Sequence, residues 1–199
     1  MGTKQGTRRR TRTLGANARR AFTLVELLMA VAIIGVLSTL ALVGYRKAIT
    51  RARLGEATSM IASISTAQER YRGEFGTYLN VSGALGHKGA AGTLCPAPEA
   101  LKKKLWAPAG CTGGASWAAL AVQNAGAMYY GYSTTAGTAG VVPADAVTIS
   151  SGTIAWPSAA ALTRDWYVVT AAADTDGNTK WSTVMAASWT NDILVDDDD

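Results

Sequence analysis

One long apolar run dominates the N-terminal part of the chain. Over residues 22–45, 24 positions in succession, Glu26 is the one acidic or basic residue. As a helix this run would extend about 36 Å, slightly more than the roughly 30 Å hydrocarbon core of a bilayer. Soluble proteins rarely bury a helix that is apolar on all sides, and no A-x-A signal-peptide cleavage pattern follows the run. The pattern therefore predicts a transmembrane helix over 22–45.

After residue 45 the apolar positions follow a helical period. They recur every three or four residues, and polar residues such as Arg53, Glu56 and Arg70 fill the other faces. Gly73 and Gly76 are helix stop signals, and no proline lies between Phe22 and Gly73. We expect one continuous helix, amphipathic over 46–74. Its predicted apolar stripe is Tyr45, Ile49, Ala52, Met60, Ile61, Ile64, Ala67 and Tyr71.

The remainder of the chain predicts a loop region and then strands. Residues 75–126 are rich in glycine and alanine and predict loops, with one short helix near 99–105. Over 127–195, runs of β-formers are separated by turn signals. We expect an antiparallel sheet of about four strands packed on the amphipathic part of the helix, an α+β fold. The predicted strands are MYYGYST (128–134), VTIS (147–150), TIAW (153–156), WYVVTAA (166–172) and KWSTVMAA (180–187).

Charge is unevenly distributed along the chain. The first 21 residues hold seven arginines and lysines and no acid, so removing them from the net charge of +5 leaves −2 for residues 22–199. A nucleic-acid partner is therefore disfavoured. A smaller basic group, Arg46, Lys47, Arg51 and Arg53, follows the apolar run. Because the larger cluster precedes the span, the N-terminus should stay cytoplasmic, with residues 46–199 outside the inner membrane.

Two cysteines, Cys95 and Cys111, lie in the loop region. An even count in a chain exported to an oxidising compartment indicates a disulfide, and two free thiols are the alternative. The bond would close a loop of about 15 residues and stabilise the domain by about 3 kcal/mol in the chain-entropy model.

Glu26 needs a partner, because an acid central in a membrane helix costs about 2.5–3.5 kcal/mol, and less near an end. If the chain were cut before Phe22, the new amine would lie four residues away, and Glu26 of one chain could neutralise the amine of another. The stretch RRAFTLVELLMAVAIIGVLSTLALVGY (19–45) closely resembles the N-terminal signature of the type IV pilin superfamily. That superfamily includes type IV pilins, minor pilins and type II secretion pseudopilins.

The resemblance implies how the precursor is processed and assembled. Residues 1–21 would be a leader that a prepilin peptidase removes between Ala21 and Phe22, with N-methylation of Phe22. Ala21 stands where the family usually has glycine. Glu26 would pair with the Phe22 amine of a neighbour. The implied partners are other pilin subunits, the peptidase, an inner-membrane assembly platform and the lipid bilayer. The subunit would be a single-pass inner-membrane protein with a periplasmic domain, and then part of a periplasmic or cell-surface filament.

One segment, DTDGNT (174–179), has the appearance of a calcium loop. Asp174, Asp176 and Asn178 alternate oxygen ligands, as a hard cation requires, although Gly177 comes earlier than in an EF-hand and no distal glutamate follows. Some pseudopilins carry calcium in C-terminal loops, which the resemblance extends to this chain. The alternative is a hairpin turn, since Asp-Gly is a strong turn dipeptide. No other cofactor is expected.

Catalysis is poorly supported by the sequence. His87 is the one histidine and lies in a Gly/Ala segment, and no nucleophile or phosphate-loop motif occurs. Lys102, Lys103 and Lys104 lack interleaved aromatics and predict a solvated face. The six tryptophans predict core, and residues 196–199 an acidic solvated tail. We expect a structural pilus subunit and no enzyme; a type II secretion pseudopilin, or a membrane-tethered minor pilin that binds a surface or DNA, are the alternatives.

Overall fold

The computed structural model describes Gly2 and residues 22–87, 90, 93–124, 126–149, 152–190 and 192–196. Ala21, nearly all of the basic leader and residues 197–199 of the acidic tail lie outside these residues. The chain divides into two compact units, Met1–Gly44 and Tyr45–Asp199, which we call the first and the second unit.

One helix, α1 (Leu24–Phe75), contributes to both units. It ends where Gly76 adopts a left-handed conformation (φ 78°) and donates its N–H to the carbonyl oxygen of Arg72 (2.8 Å). Glycine suits this position because a residue with a Cβ is strained there. The predicted continuous helix is therefore confirmed.

Within the second unit, α1 buries one stripe of side chains. Tyr45 and Ala52, which the pattern placed in this stripe, are exposed. Ile49 is half-buried, and Leu54 is the first residue of α1 that packs against the core cluster. The stripe therefore starts later than predicted, and its fully buried apolar members are Ala57, Met60, Ile61, Ile64 and Ala67.

A four-stranded antiparallel sheet faces this stripe. Its strands are β3 (Gly131–Gly137), β6 (Trp166–Ala173), β7 (Ser182–Ala187) and β8 (Leu194–Asp196), in the order β3-β6-β7-β8. The register pairs Thr134 with Val169, Val169 with Ala186, and Val184 with Val195. Both faces of β6 are buried, so this strand is the centre of the core. The α+β class and the four-stranded antiparallel sheet are confirmed.

The identity of the fourth strand differs from the prediction. The runs at 147–150 and 153–156 form a separate two-stranded hairpin of β4 (Thr148–Ile149) and β5 (Gly152–Thr153). The apolar residues of the two runs, Val147, Ile149, Ile154 and Trp156, pack in or against the second core cluster, so they contact the core without joining the main sheet. The fourth strand is β8, and Asp196, predicted to belong to the acidic tail, is its last residue.

The loop region also differs from the prediction at one place. Residues 99–105 do not form a helix: a turn at Leu101 leads into β1 (Lys104–Leu105), which pairs with β2 (Ala127–Met128). A helix that short needs a buried face to hold it, and both leucines of this segment are exposed. The helix of this region is α2 (Gly114–Leu120), because Trp117 and Leu120, three residues apart, both enter the core.

Five of the six tryptophans, all but Trp181, pack in or against the two core clusters, so the prediction of core holds for these five. All six are buried or half-buried. Trp117 packs edge-on against Trp106 at 5.1 Å between ring centroids, on the side of the sheet that contacts α1. Trp156, Trp166 and Trp189 pack edge-on in a second cluster, with centroid distances of 6.1 and 5.9 Å about Trp189. None of the six therefore offers a fully exposed ring for a ligand.

Candidate functional site

The candidate functional site is the start of α1, where Thr23 and Glu26 bond to each other. The Thr23 hydroxyl and the Thr23 N–H both donate to Oε2 of Glu26, at 2.8 and 3.0 Å. In return, the Glu26 N–H donates to Oγ1 of Thr23 at 3.2 Å. This reciprocal arrangement is a capping box, which satisfies backbone donors that the first turn of a helix leaves free.

Thr23 is a site residue that the sequence analysis did not single out. Its signal was present, since Thr23 and Glu26 have the T-x-x-E spacing of a capping box directly before an apolar run. The box also fixes the position of the acid. The Glu26 side chain is folded back to the helix end and so lies beside Phe22, the residue predicted to become the N-terminus.

Only one oxygen of Glu26 is occupied by these bonds. Both Thr23 donors share Oε2, and within the described part of the chain Oε1 accepts no hydrogen bond. A carboxylate can accept further bonds through such a free oxygen. The geometry thus leaves an acceptor at the helix start for a cation that the described residues do not supply.

The apolar segment that follows is exposed on every side in the single chain. Its large side chains from Leu24 to Leu42 are between 54% and 75% exposed. The two hydroxyls in this segment are satisfied by the helix itself: Ser38 donates to the Ile34 carbonyl oxygen and Thr39 to that of Val36, both at 2.7 Å. Because both hydroxyls are satisfied within the helix, lipid or another apolar helix can cover the part of the segment that follows Glu26.

By length and composition, α1 is the one helix of the described residues that could cross a membrane. The predicted span of residues 22–45 makes up its N-terminal part. The predicted cleavage position is only partly visible: Phe22 is exposed, and Ala21 lies outside the described residues.

The predicted disulfide between Cys95 and Cys111 is present, with 5.4 Å between the two Cα atoms. Cys95 is fully buried and exchanges two backbone hydrogen bonds with Tyr132 of β3, at 2.8 and 2.9 Å. The bond therefore ties the loop before α2 to the outer edge of the sheet.

The three residues of the predicted calcium loop bond chiefly within the loop. Asp174 accepts the N–H groups of Gly177 (2.7 Å) and Thr179 (3.0 Å), and Asp176 accepts both the backbone and the side-chain N–H of Asn178, at 3.0 and 2.8 Å. These bonds make a compact turn between β6 and β7. Over the described residues no three His, Cys, Asp or Glu side chains come together as a metal centre. The calcium site of Asp174, Asp176 and Asn178 stays a prediction.

The basic cluster at 102–104 is paired within the domain. Lys102 and Lys104 both contact Glu99, the latter at 3.4 Å, and Lys103 lies 3.5 Å from Glu56. Lys102 and Lys104 hold the pKa of Glu99 below its usual value, and the hydrogen bond from Lys102 is the largest cause. His87 is half-buried, and its carbonyl oxygen accepts the N–H of Ala90 at 2.9 Å.

Comparisons with known proteins bear on the start of α1. The family model described as the prokaryotic N-terminal methylation motif matches residues 16–42. A curated relative named "Fimbrial protein", from Moraxella nonliquefaciens, is 41% identical over 51 residues, which are 26% of this chain and 33% of the relative. The match thus spans about a third of that relative's length. No solved structure matches the chain at a significant level.

The start of the chain is thus similar to proteins of the type IV pilin superfamily, over the motif at residues 16–42 and over the 51 residues that it shares with the fimbrial protein.

Proposed function

We propose that this chain is a structural subunit of a type IV pilus or pilus-like filament, anchored in the inner membrane before it is assembled. The observation that carries the proposal is the pairing of a fully exposed apolar helix segment with a capped acid at its start. The apolar surface needs a non-aqueous environment, and the free oxygen of Glu26 needs a cation. Identical helices packed side by side supply both.

We propose that processing creates that cation. Cleavage between Ala21 and Phe22 by a prepilin peptidase would leave an α-amine at Phe22, next to the capping box, and methylation would modify this amine. N-terminal sequencing and mass spectrometry of the protein from its host should find methylated Phe22 as the first residue. Filaments whose subunits still begin at Met1 would contradict this step.

The capping box suggests how a subunit waits in the membrane. While the subunit is alone, Thr23 provides two hydrogen bonds to the carboxylate, which lowers the cost of keeping an acid in an apolar helix. In the filament, the neighbour's amine would be neutralised at Oε1 without breaking the box. Thr23 would then be a positioning residue that holds Glu26 in place.

The proposal is tested by comparing three variants with wild type for filament incorporation and for abundance in the membrane pool. Glu26→Ala should insert normally but fail to enter filaments, because a buried unpaired amine costs several kcal/mol. Glu26→Gln should be rescued only in part, since an amide accepts a hydrogen bond but carries no charge. Glu74→Ala is the matched control, because it removes an exposed acid from the other end of the same helix. Incorporation of Glu26→Ala at the wild-type level, with wild-type subunits absent, would refute the assembly role.

A type II secretion pseudopilin and a binding minor pilin are the two alternatives to a pilus subunit. A type II secretion pseudopilin is favoured by the Asp174, Asp176 and Asn178 turn only if that turn binds calcium. A minor pilin that binds DNA or a surface would be expected to show exposed aromatics beside free lysines. The half-buried tryptophans and the ion pairs of Lys102, Lys103 and Lys104 count against it.

A further inference from the structure

The disulfide between Cys95 and Cys111 joins a buried sulfur to a partly exposed one. Cys95 is fully buried in the core cluster on the side of the sheet that contacts α1. Cys111 is half-buried, and its two neighbours Gly110 and Thr112 are exposed. Residues 107–113 include no acidic or basic side chain that would repel an approaching anion. A reagent in water can therefore reach the bond from one side, through Cys111.

Cys95 is held in place by the fold as well as by the bond. Its N–H donates to the Tyr132 carbonyl oxygen at 2.8 Å, and its carbonyl oxygen accepts the Tyr132 N–H at 2.9 Å. Gly131, the preceding residue of β3, leaves room for this segment, because a Cβ there would lie 2.8 Å from Cβ of Leu94 and from Cδ of Pro98. These contacts involve no sulfur, so we expect Cys95 to stay against β3 when the disulfide is open.

Cys111 belongs to a short surface loop before α2. Its N–H donates to the carbonyl oxygen of Pro108 (3.0 Å), and its carbonyl oxygen accepts the N–H of Gly114 (3.1 Å), the first residue of α2. Neither of these two bonds reaches the sheet. Cys111 is thus the end of the disulfide that can move away from the core when the bond opens.

The chemistry of disulfide exchange separates the two sulfurs further. In this reaction a thiolate attacks one sulfur and the other sulfur leaves, and access decides which one is attacked. The attacking thiolate approaches in line with the S–S bond, from the side opposite the leaving sulfur. For attack at Cys111 this approach begins in water, because the leaving sulfur of Cys95 lies on the core side. For attack at Cys95 the thiolate would have to approach from within the core cluster.

We propose that Cys111 is the cysteine through which this disulfide is opened and formed, and that Cys95 is the resolving cysteine. When the bond opens, an external thiolate bonds to Sγ of Cys111, the S–S bond breaks, and Cys95 leaves as a thiolate that takes up a proton. When the bond forms, the Cys111 thiolate first attacks the active disulfide of a disulfide oxidoreductase. The Cys95 thiolate then attacks Sγ of Cys111, and the oxidoreductase leaves as a dithiol that carries the two electrons.

The first test uses the full wild-type chain in detergent, with its disulfide intact and reduced glutathione as the attacking thiol. Guanidinium chloride with excess N-ethylmaleimide stops the reaction and labels free thiols, and mass spectrometry of the peptides locates both groups. Chains that carry one of each group should have glutathione on Cys111 and maleimide on Cys95. Glutathione mainly on Cys95, or equally on both cysteines, would overturn the proposal. As a control, the reaction in guanidinium chloride should place glutathione on both cysteines, because burial is then removed.

Two matched single variants give a second test, because each lacks the disulfide and keeps one thiol. Cys95→Ser keeps the thiol of Cys111, and Cys111→Ser keeps that of Cys95. The probe is 4,4′-dithiodipyridine, an uncharged disulfide whose reaction with a thiol is followed by absorbance. Without denaturant the Cys111 thiol should react at least about tenfold faster than the Cys95 thiol, since a buried thiol reacts only when the structure opens. In guanidinium chloride the two rates should be similar.

Equal rates without denaturant, in two variants that each unfold in a cooperative transition, would also overturn the proposal. Where a variant does not fold, the wild-type reaction decides, since it needs no substitution. The inference goes beyond the proposed assembly function and is tested separately from it. Glutathione on Cys95 would leave the assembly role of Glu26 standing, and assembly of Glu26→Ala would leave the reactivity of Cys111 standing.

Discussion

Gln68 joins three parts of the second unit, and its replacement should be strongly destabilising. The side chain is fully buried on α1. Its Nε2 donates to the Leu79 carbonyl oxygen (2.8 Å) and to Oγ1 of Thr134 (3.2 Å), and its Oε1 accepts the Leu79 N–H (2.9 Å). It thus satisfies both backbone groups of the segment after the helix and contacts the middle of β3.

Gln68→Met keeps most of the volume but leaves two backbone groups without partners. At about 1–3 kcal/mol for each of the two unsatisfied groups, the free energy of unfolding should fall by roughly 2–6 kcal/mol. For a domain of this size the thermal midpoint should drop by roughly 5–15 °C. The assay is thermal and urea unfolding in detergent, followed by tryptophan fluorescence.

Two controls make the Gln68 result decisive. Gln123→Met makes the same chemical change at an exposed position and should stay within about 0.5 kcal/mol of wild type. Thr134→Val removes only the longest of the three bonds and should cost about 1 kcal/mol. If Gln68→Met unfolds at the same midpoint as Gln123→Met, the Leu79 backbone groups find other partners and the reasoning is wrong.

Three further predictions concern the same domain. Replacing Cys95 and Cys111 together by serine should lower the free energy of unfolding by about 3 kcal/mol, given their separation of 16 residues; an unchanged urea midpoint would contradict this. Burial, and then the hydrogen bond to Glu69, raise the pKa of Tyr78 to about 12, so the neutral phenol is favoured in the folded state. The stability from Tyr78 should be complete below pH 10 and lost between pH 10 and 12, and Tyr78→Phe should flatten that part of the unfolding curve. If the loop at 174–179 binds calcium, millimolar calcium should raise the thermal midpoint of wild type and not of Asp176→Asn; equal midpoints with and without calcium would remove the calcium proposal.

The long helix and the disulfide could be predicted because their signals are local. An unbroken apolar run, glycine stop signals and the absence of proline decide the bounds of α1 without knowledge of the rest. The pairing of Cys95 with Cys111 needed only an even count and an oxidising compartment. The capping box has an equally local signal, since Thr23 and Glu26 stand at the T-x-x-E spacing directly before the apolar run.

The parts that could not be predicted depend on tertiary contacts. β8 has only three residues, which are too few to show a period in the sequence. It is a strand because it pairs with β7, with Val195 opposite Val184. Residues 99–105 have helix-like spacing of Leu101 and Leu105, but neither leucine is buried, so the spacing reports no core contact. Likewise, the helical period of apolar residues begins at Tyr45, but Leu54 is the first residue of α1 that packs against the core cluster. The period of a sequence does not show which of its apolar residues other elements will contact.

The two outer strands of the sheet bear on how such subunits avoid aggregation. The outer edge of β3 is covered by the backbone of Cys95 and by the N–H groups of Val81 and Ser82, which donate to the Thr134 carbonyl oxygen. The opposite edge strand, β8, is three residues long, and the three residues after it, 197–199, are aspartates. Short strands and clustered charge are the devices by which β-proteins prevent edge-to-edge growth into cross-β fibres. Both edges of the sheet are thus closed to the edge-to-edge pairing from which amyloid-like fibres grow.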